Sequence, residues 1–192
     1  MLKARTGCLI GIGVVILIIL ITGGIFWGNY NSLVTKSQSI DAQWAQVEAQ
    51  YQRRYDLIPN LVNSVKGIMA QEQAVFSQIA EARTKYAGAK TTDEKAVASS
   101  NMDSALSRLL VIMENYPQLR SVETITQLMD ELSGTENRIS VERRRYNTVV
   151  QEYNTSIKKV PTNLIASMFN FNEKEYFKSV SGADQVPKVD FK

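Results

Sequence analysis

Residues 125–157, "ITQLMDELSGTENRISVERRRYNTVVQEYNTSI", carry the most regular hydrophobic pattern in the chain. Steps of four and three residues alternate along it without a slip, which is the spacing of a helix face that packs against other helices. The stretch therefore predicts one long helix of coiled-coil type within a bundle. Its face comprises Ile125, Met129, Leu132, Glu136, Ile139, Arg143, Tyr146, Val150, Tyr153 and Ile157.

Two charged residues, Glu136 and Arg143, lie on this apolar face, and Asn137 is next to Glu136. An isolated charge is too costly to bury, so each should be paired or should face a polar interface. Polar residues at helix-packing positions most often fix register and partner choice. A ligand or partner site is the alternative interpretation, and catalysis is the least favoured.

A "YN" pair at Tyr146 and Asn147 recurs seven residues later at Tyr153 and Asn154. This spacing places both tyrosines on one helix face and both asparagines beside them. Such tyrosines most often belong to the core, with the phenol hydroxyl reaching a partner at its edge. An aromatic docking groove is the alternative.

A second amphipathic pattern runs through "QRRYDLIPNLVNSV", residues 52–65, and contains Pro59. Proline has no N–H to donate to the carbonyl of Tyr55, so we expect a helix kink there. Because apolar spacing continues on both sides, the pattern predicts one helix from Asn29 to about Tyr86. Its apolar positions are Leu33, Ile40, Trp44, Val47, Tyr51, Tyr55, Ile58, Val62, Val65 and Met69.

Charged residues surround this kink, namely Arg53, Arg54 and Asp56. An arginine can satisfy the carbonyl that proline leaves unpaired, or it can pair with Asp56 one helical turn away. We therefore expect Arg53 or Arg54 to join Glu136 or Arg143 in a buried polar network. A binding site at these charges is the alternative.

The remaining signals are those of further helices and of the turns between them. Thr91 and Glu94 have capping-box spacing, and the pair Tyr116 and Pro117 should interrupt the helix that follows this cap. No alternating strand pattern or glycine-rich phosphate loop is present in the sequence. The predicted fold class is all-α, with an N-terminal transmembrane helix followed by an antiparallel up-and-down bundle of three to four long helices.

An uncharged apolar stretch at residues 8–27 is long enough to be a membrane anchor, since twenty helical residues span about 30 Å. A cleaved signal peptide is the less favoured alternative, because this stretch is too long for one. Lys3 and Arg5 precede the stretch, whereas only Lys36 follows it closely. This bias predicts a single-pass protein of the bacterial cytoplasmic membrane, whose C-terminal part faces outward or into the periplasm.

The domain organisation follows from these patterns. We expect a short cytoplasmic tail at residues 1–7, a transmembrane anchor at 8–27, a helical bundle at 28–180 and an irregular tail at 181–192.

Composition argues against catalysis. The chain has 22 basic and 19 acidic residues, no histidine and one cysteine, Cys8, which lies inside the predicted anchor. The lack of histidine removes the commonest general base and the commonest metal ligand. We therefore predict a protein that is not an enzyme and has no catalytic residues, no metal and no cofactor. The nearly balanced charge predicts no nucleic-acid partner.

Several motifs resemble those of one protein family. They are "YNSLV" at 30–34, "QRRYDLIPNLVNSVKG" at 52–67, "YPQLR" at 116–120, "GTENRISVERRRYN" at 134–147, "EYN" at 152–154 and "PKVDF" at 187–191. With its N-terminal anchor, the chain resembles the LemA family of bacterial membrane-anchored helical proteins. The resemblance carries no catalytic residues over. It implies an envelope partner, since similar proteins are often encoded near membrane proteins linked to envelope stress or proteolysis.

Two functions remain open. The first is a membrane-anchored helical scaffold or interaction protein of the cell envelope, which would be a homo-oligomer. The alternative is a ligand- or peptide-binding sensor or adaptor that signals to a membrane protein partner. Polar residues that are satisfied within one chain favour the scaffold, whereas polar residues that line an open cleft favour the sensor.

Overall fold

The computed structural model describes residues 2–177, and these contain helices, turns and no β-strand. This confirms the predicted all-α class. A 3-10 turn at Pro117–Ser121 separates the third helix from the fourth. The helices are α1 (Leu2–Lys66), α2 (Gln73–Gly88), α3 (Thr92–Met113), α4 (Glu123–Lys158) and α5 (Thr162–Met168). The tail predicted at residues 181–192 lies outside the described residues.

The prediction of one helix from Asn29 to Tyr86 is wrong. Pro59 lies inside α1, but α1 ends at Lys66 and α2 begins only at Gln73. Glycine is common just past the end of a helix, and Gly67 takes that place. The fully buried Met69 holds the turn against the core, and its amide donates to the carbonyl of Val65 at 2.9 Å.

Two other boundary predictions are confirmed. Thr91 and Glu94 form a capping box at the start of α3: the amide of Glu94 donates to Thr91 Oγ1 at 3.2 Å, and the amide of Thr91 donates to Glu94 Oε2 at 3.1 Å. At its other end α3 stops at Met113, shortly before Tyr116 and Pro117. Each boundary depends on a local backbone effect, a capping box or a proline, which can be recognised from the residues alone.

The packing divides the described chain into two compact units, and α1 and α4 contribute to both. Unit 1 comprises residues 2–43 and 147–176, and unit 2 comprises residues 44–146 with Phe177. The core of unit 2 includes Ile58, Leu61, Val65, Met69, Phe76, Ile79, Met102, Leu106, Leu109, Leu119, Ile125 and Leu132. The buried residues of unit 1 include Leu33, Ile40, Val150, Tyr153 and Ile165.

The N-terminal part of α1 is long and apolar enough to cross a membrane, with a mean hydropathy of 2.3 in its most apolar window. None of that window is buried inside the protein. Ile19 and Leu20, for example, are 61% and 66% exposed. A core helix of a soluble protein would bury such residues, so this part of α1 indicates membrane association.

Candidate functional site: a buried arginine cluster

Arg54 is the one charged residue of unit 2 whose side chain the described structure buries almost completely, with 3% exposed. It lies on the inner face of α1, between Tyr51 and Ile58. The buried positions of this face follow steps of four and three residues, so Arg54 takes a core position in the regular pattern. Those positions are Val47, Tyr51, Arg54, Ile58, Leu61 and Val65.

The guanidinium of Arg54 binds side chains from two other helices. Its Nη1 donates to Glu136 Oε2 of α4 at 2.9 Å and also to Asp103 Oδ1 of α3. Its Nη2 donates to Ser99 Oγ at 2.5 Å, and Ser99 is fully buried. Three helices are therefore joined through one side chain.

A second arginine, Arg143 of α4, closes the cluster from the other side. Its Nε donates to Tyr51 Oη and its Nη2 to Ser99 Oγ, each at 3.0 Å. The same Nη2 lies 3.6 Å from Asp103 Oδ2. The hydroxyl oxygen of Ser99 thus accepts hydrogen bonds from both arginines. The ring of Phe177 lies 4.6 Å from the Arg143 guanidinium.

The charges of this cluster balance, because two arginines face two carboxylates. Burial on its own would lower the pKa of Arg54, but the charges and hydrogen bonds of Asp103 and Glu136 outweigh burial, so the pKa lies above its usual value. Burial raises the pKa of Tyr51, although the neighbouring Arg143 opposes this shift. Arg54 therefore stays charged and Tyr51 stays neutral at ordinary pH.

Three of the residues selected from the sequence, Arg53, Asp56 and Asn137, are exposed and lie outside the cluster. Asp56 accepts a hydrogen bond from Gln52 Nε2 at 2.9 Å, one turn earlier on α1. The structure therefore buries Arg54 and exposes its neighbour Arg53. An interpretation of "QRR" as one charged unit does not distinguish the two arginines.

The repeated "YN" pair is divided between the two units. Tyr146 is buried in unit 2, where its ring meets Trp44 at a centroid distance of 5.5 Å, whereas Asn147, which is half-buried, already belongs to unit 1.

In unit 1 the second pair fastens the segment that follows α5. The hydroxyl of Tyr153 donates to the carbonyl of Asn172 at 3.0 Å. Asn154 Nδ2 donates to the carbonyl of Lys174 at 2.8 Å, and the Lys174 amide donates back to Asn154 Oδ1 at 2.9 Å. Tyr153 and Asn154 thus bind backbone groups of their own chain.

Ser99 and Asp103 belong to the cluster but were not selected from the sequence. Both are on α3, in the stretch "ASSNMDSAL", where serine and aspartate look like ordinary surface residues. The available signal is the spacing of four residues between them, which places both on one helix face.

Among residues 11–177, no group of three or more acidic or cysteine side chains is placed to hold a metal ion.

Comparison with known proteins finds one matching family and several relatives. The model of the LemA family matches residues 43–191. Magnetosome protein MamQ 2 of Paramagnetospirillum magneticum is 30% identical over 81% of this chain and 67% of that protein. Magnetosome protein MamQ of Magnetospirillum gryphiswaldense is 28% identical over the same shares. Protein LemA of Metamycoplasma hominis is 26% identical over 91% of this chain and 80% of that protein.

Proposed function

Because the chain belongs to the LemA family, we propose that it is a membrane-anchored helical scaffold or interaction protein of the bacterial cell envelope. In this proposal the protein is not catalytic and works as a homo-oligomer. Neither the family nor the relatives named above carry the name of an enzyme. The apolar part of α1 provides the membrane association on which the proposal rests.

The observation that carries the scaffold proposal is the closure of the Arg54 cluster within one chain. Arg54 has protein partners at Asp103, Glu136 and Ser99, and its guanidinium is almost completely buried. A side chain that is engaged by internal partners cannot also bind a ligand without losing them. The cluster is therefore suited to fixing how α1, α3 and α4 pack, which a rigid scaffold requires.

We further propose that the anchor lies in the cytoplasmic membrane, with the helical part outside the cytoplasm. Lys3 and Arg5 precede the apolar stretch, and the basic-residue bias favours a cytoplasmic N-terminus. Self-assembly has support from Gly24 and Gly28, whose small-xxx-small spacing lets two membrane helices approach closely. A Cβ atom added at either glycine would meet no neighbouring atom within 4 Å, so this face is open.

The test is the intact mass of the assembly extracted from membranes in detergent. We expect an assembly of at least two 21.5 kDa chains, and the variant Gly24→Leu with Gly28→Leu should dissociate to single chains. Gly13→Leu is the matched control, because Leu9 and Leu17 stand four residues to either side of it. A wild-type protein that is monomeric at native expression levels would contradict self-assembly.

A sensor function has one observation in its favour, a groove of about 430 Å³ in unit 2 beside the proline of α1. Tyr55, Pro59, Phe76 and Arg83 are among the residues that line it. The buried Nε of Arg83 has no hydrogen-bond partner among the described residues. If a peptide carboxylate binds there, Arg83→Met should abolish co-purification of a partner and leave the fold intact. Unchanged co-purification would exclude this groove as the sensor site.

A further inference from the structure

Apolar side chains are exposed around α5, at the end of unit 1. Leu164 and Met168 are 63% and 68% exposed, and Val160 and Phe169, which flank the helix, are 79% and 47% exposed. Soluble proteins rarely leave so many neighbouring large apolar side chains in water. This surface, which we call the α5 patch, therefore requires an apolar partner.

The two faces of α5 differ sharply in burial. Ile165 and Ala166 are buried, with 3% and 4% exposed. Leu164 and Met168 are four residues apart and share the opposite face. The helix is thus not amphipathic, because the face that points away from its own unit is apolar as well as the buried one.

Direct contacts place α5 beside the end of the apolar part of α1. The hydroxyl of Thr162 donates to Asn29 Oδ1 at 2.8 Å. The ring of Phe169 lies 6.0 Å from Phe26 and 4.8 Å from Tyr30, between ring centroids. The α5 patch therefore lies at the level of residues 26–30.

That level is where the bilayer surface should be. When residues 8–27 span the hydrocarbon region, Trp27 marks its edge, and this side chain is 67% exposed. Aromatic residues favour this interface, and a cluster of Phe26, Trp27, Tyr30 and Phe169 is found there. Lys159, which is exposed just before α5, can meet lipid headgroups.

We propose that the α5 patch docks onto the lipid bilayer as a second membrane contact, beside the anchor and on the same leaflet. The occupant is lipid: acyl-chain ends and glycerol groups for Leu164 and Met168, and phosphate headgroups for Lys159. The patch is continuous with the apolar part of α1, because Phe169 packs against Phe26 and Tyr30 at the end of the anchor. It rests on the proposed membrane insertion of α1.

The experiment uses the full chain in lipid vesicles, with Cys8 replaced by serine and one cysteine introduced for an environment-sensitive fluorophore. Met168→Cys reports on the α5 patch. Gln38→Cys is the matched control, because Gln38 is exposed on α1 of the same unit, about 16 Å along the helix beyond Trp27. Ile18→Cys reports separately on insertion of the anchor.

We expect a lipid that carries a quencher near its headgroup to quench the label at position 168 several-fold more strongly than the label at position 38. Aqueous iodide should show the reverse order. Equal quenching at both positions would overturn the proposal, and so would a label at 168 that neither quencher reaches, since protein would then cover the patch. Failure of a deep lipid quencher to reach position 18 would instead refute membrane insertion itself.

Discussion

Arg54 Nη1 donates to Glu136 Oε2 at 2.9 Å, across 82 positions of sequence. The bond links α1 to α4, and Asp103 brings α3 to the same guanidinium. The two carboxylates are partly exposed, at 33% for Asp103 and 44% for Glu136, whereas Arg54 is not. The arginine therefore depends on its protein partners, because water can solvate either carboxylate more easily than it can reach the buried guanidinium.

This asymmetry predicts non-additive effects on stability. Glu136→Gln alone and Asp103→Asn alone should each cost less than about 1 kcal/mol, because the other carboxylate still compensates Arg54. Asp103→Asn combined with Glu136→Gln should cost about 3 to 5 kcal/mol, which is the range for leaving a buried charge without its partner. Denaturant unfolding in detergent, followed by circular dichroism, measures both.

Glu81→Gln serves as the control for these variants, because Glu81 forms an exposed pair with Lys85 within α2. It should leave the unfolding midpoint unchanged. Additive effects of the two substitutions at Asp103 and Glu136 would show that the carboxylates act independently of Arg54.

The neighbouring arginines should respond differently to the same conservative change. Arg54→Lys keeps the charge but loses the planar fork that reaches Asp103, Glu136 and Ser99 together, so we expect a cost of about 1 to 3 kcal/mol. Arg53→Lys is the matched control on the exposed face and should have no measurable effect. Equal unfolding midpoints for the two variants would contradict the burial of Arg54.

The folded protein should lose stability in alkali because Tyr86 ionises there. Burial, reinforced by the charge of Tyr51, raises the pKa of Tyr86 to about 12 in the folded protein. Its pKa in the unfolded chain is about 10, so the folded state keeps the proton longer. The stability that this pKa difference could cost is therefore fully present below about pH 10, and it is lost as the pH rises to about 12 and Tyr86 ionises in the folded protein. Tyr86→Phe should make the decline in the unfolding midpoint shallower, and an unchanged decline would contradict the prediction.

The orientation in the membrane can be read from cysteine labelling. In a chain with Cys8 replaced, an impermeant maleimide should label Ala87→Cys in cells whose inner membrane is intact. Ala4→Cys is the control and should react only after that membrane is opened. Labelling with the opposite pattern would reverse the topology. Lysines added just after Trp27 should weaken the preference if the basic-residue bias causes it.

The long helices were predictable where the sequence pattern is local and unbroken. The pattern of residues 125–157 predicts a helix that the structure extends only slightly, from Glu123 to Lys158. Glu136 and Arg143 are selected as charges on an apolar face and Arg54 as a charge beside the proline kink, and the structure places all three in one cluster. Such positions can be found because a buried charge without a partner would cost too much free energy.

Other features depend on tertiary packing and could not be predicted. The chain turns between α1 and α2 where Met69 enters the core, although the apolar spacing alone suits a continuous helix. The sequence pattern places Tyr55 on the buried face because it is aromatic, whereas the structure buries Arg54 there and leaves Tyr55 half-buried. Ser99 and Asp103 matter only because α3 presents them to α1 and α4, and one sequence does not state which helices are neighbours.

We propose that the Arg54 cluster is structural and that the protein works as a scaffold. The most direct test neutralises the whole cluster with Arg54→Met, Arg143→Met, Asp103→Asn and Glu136→Gln, and then compares the intact assembly and its co-purified proteins with those of the wild type. Replacement of every partner removes the buried charge, so the fold should be retained. We predict the same assembly mass and the same co-purified proteins. A folded variant that loses its partner would contradict the account and make the cluster a binding site.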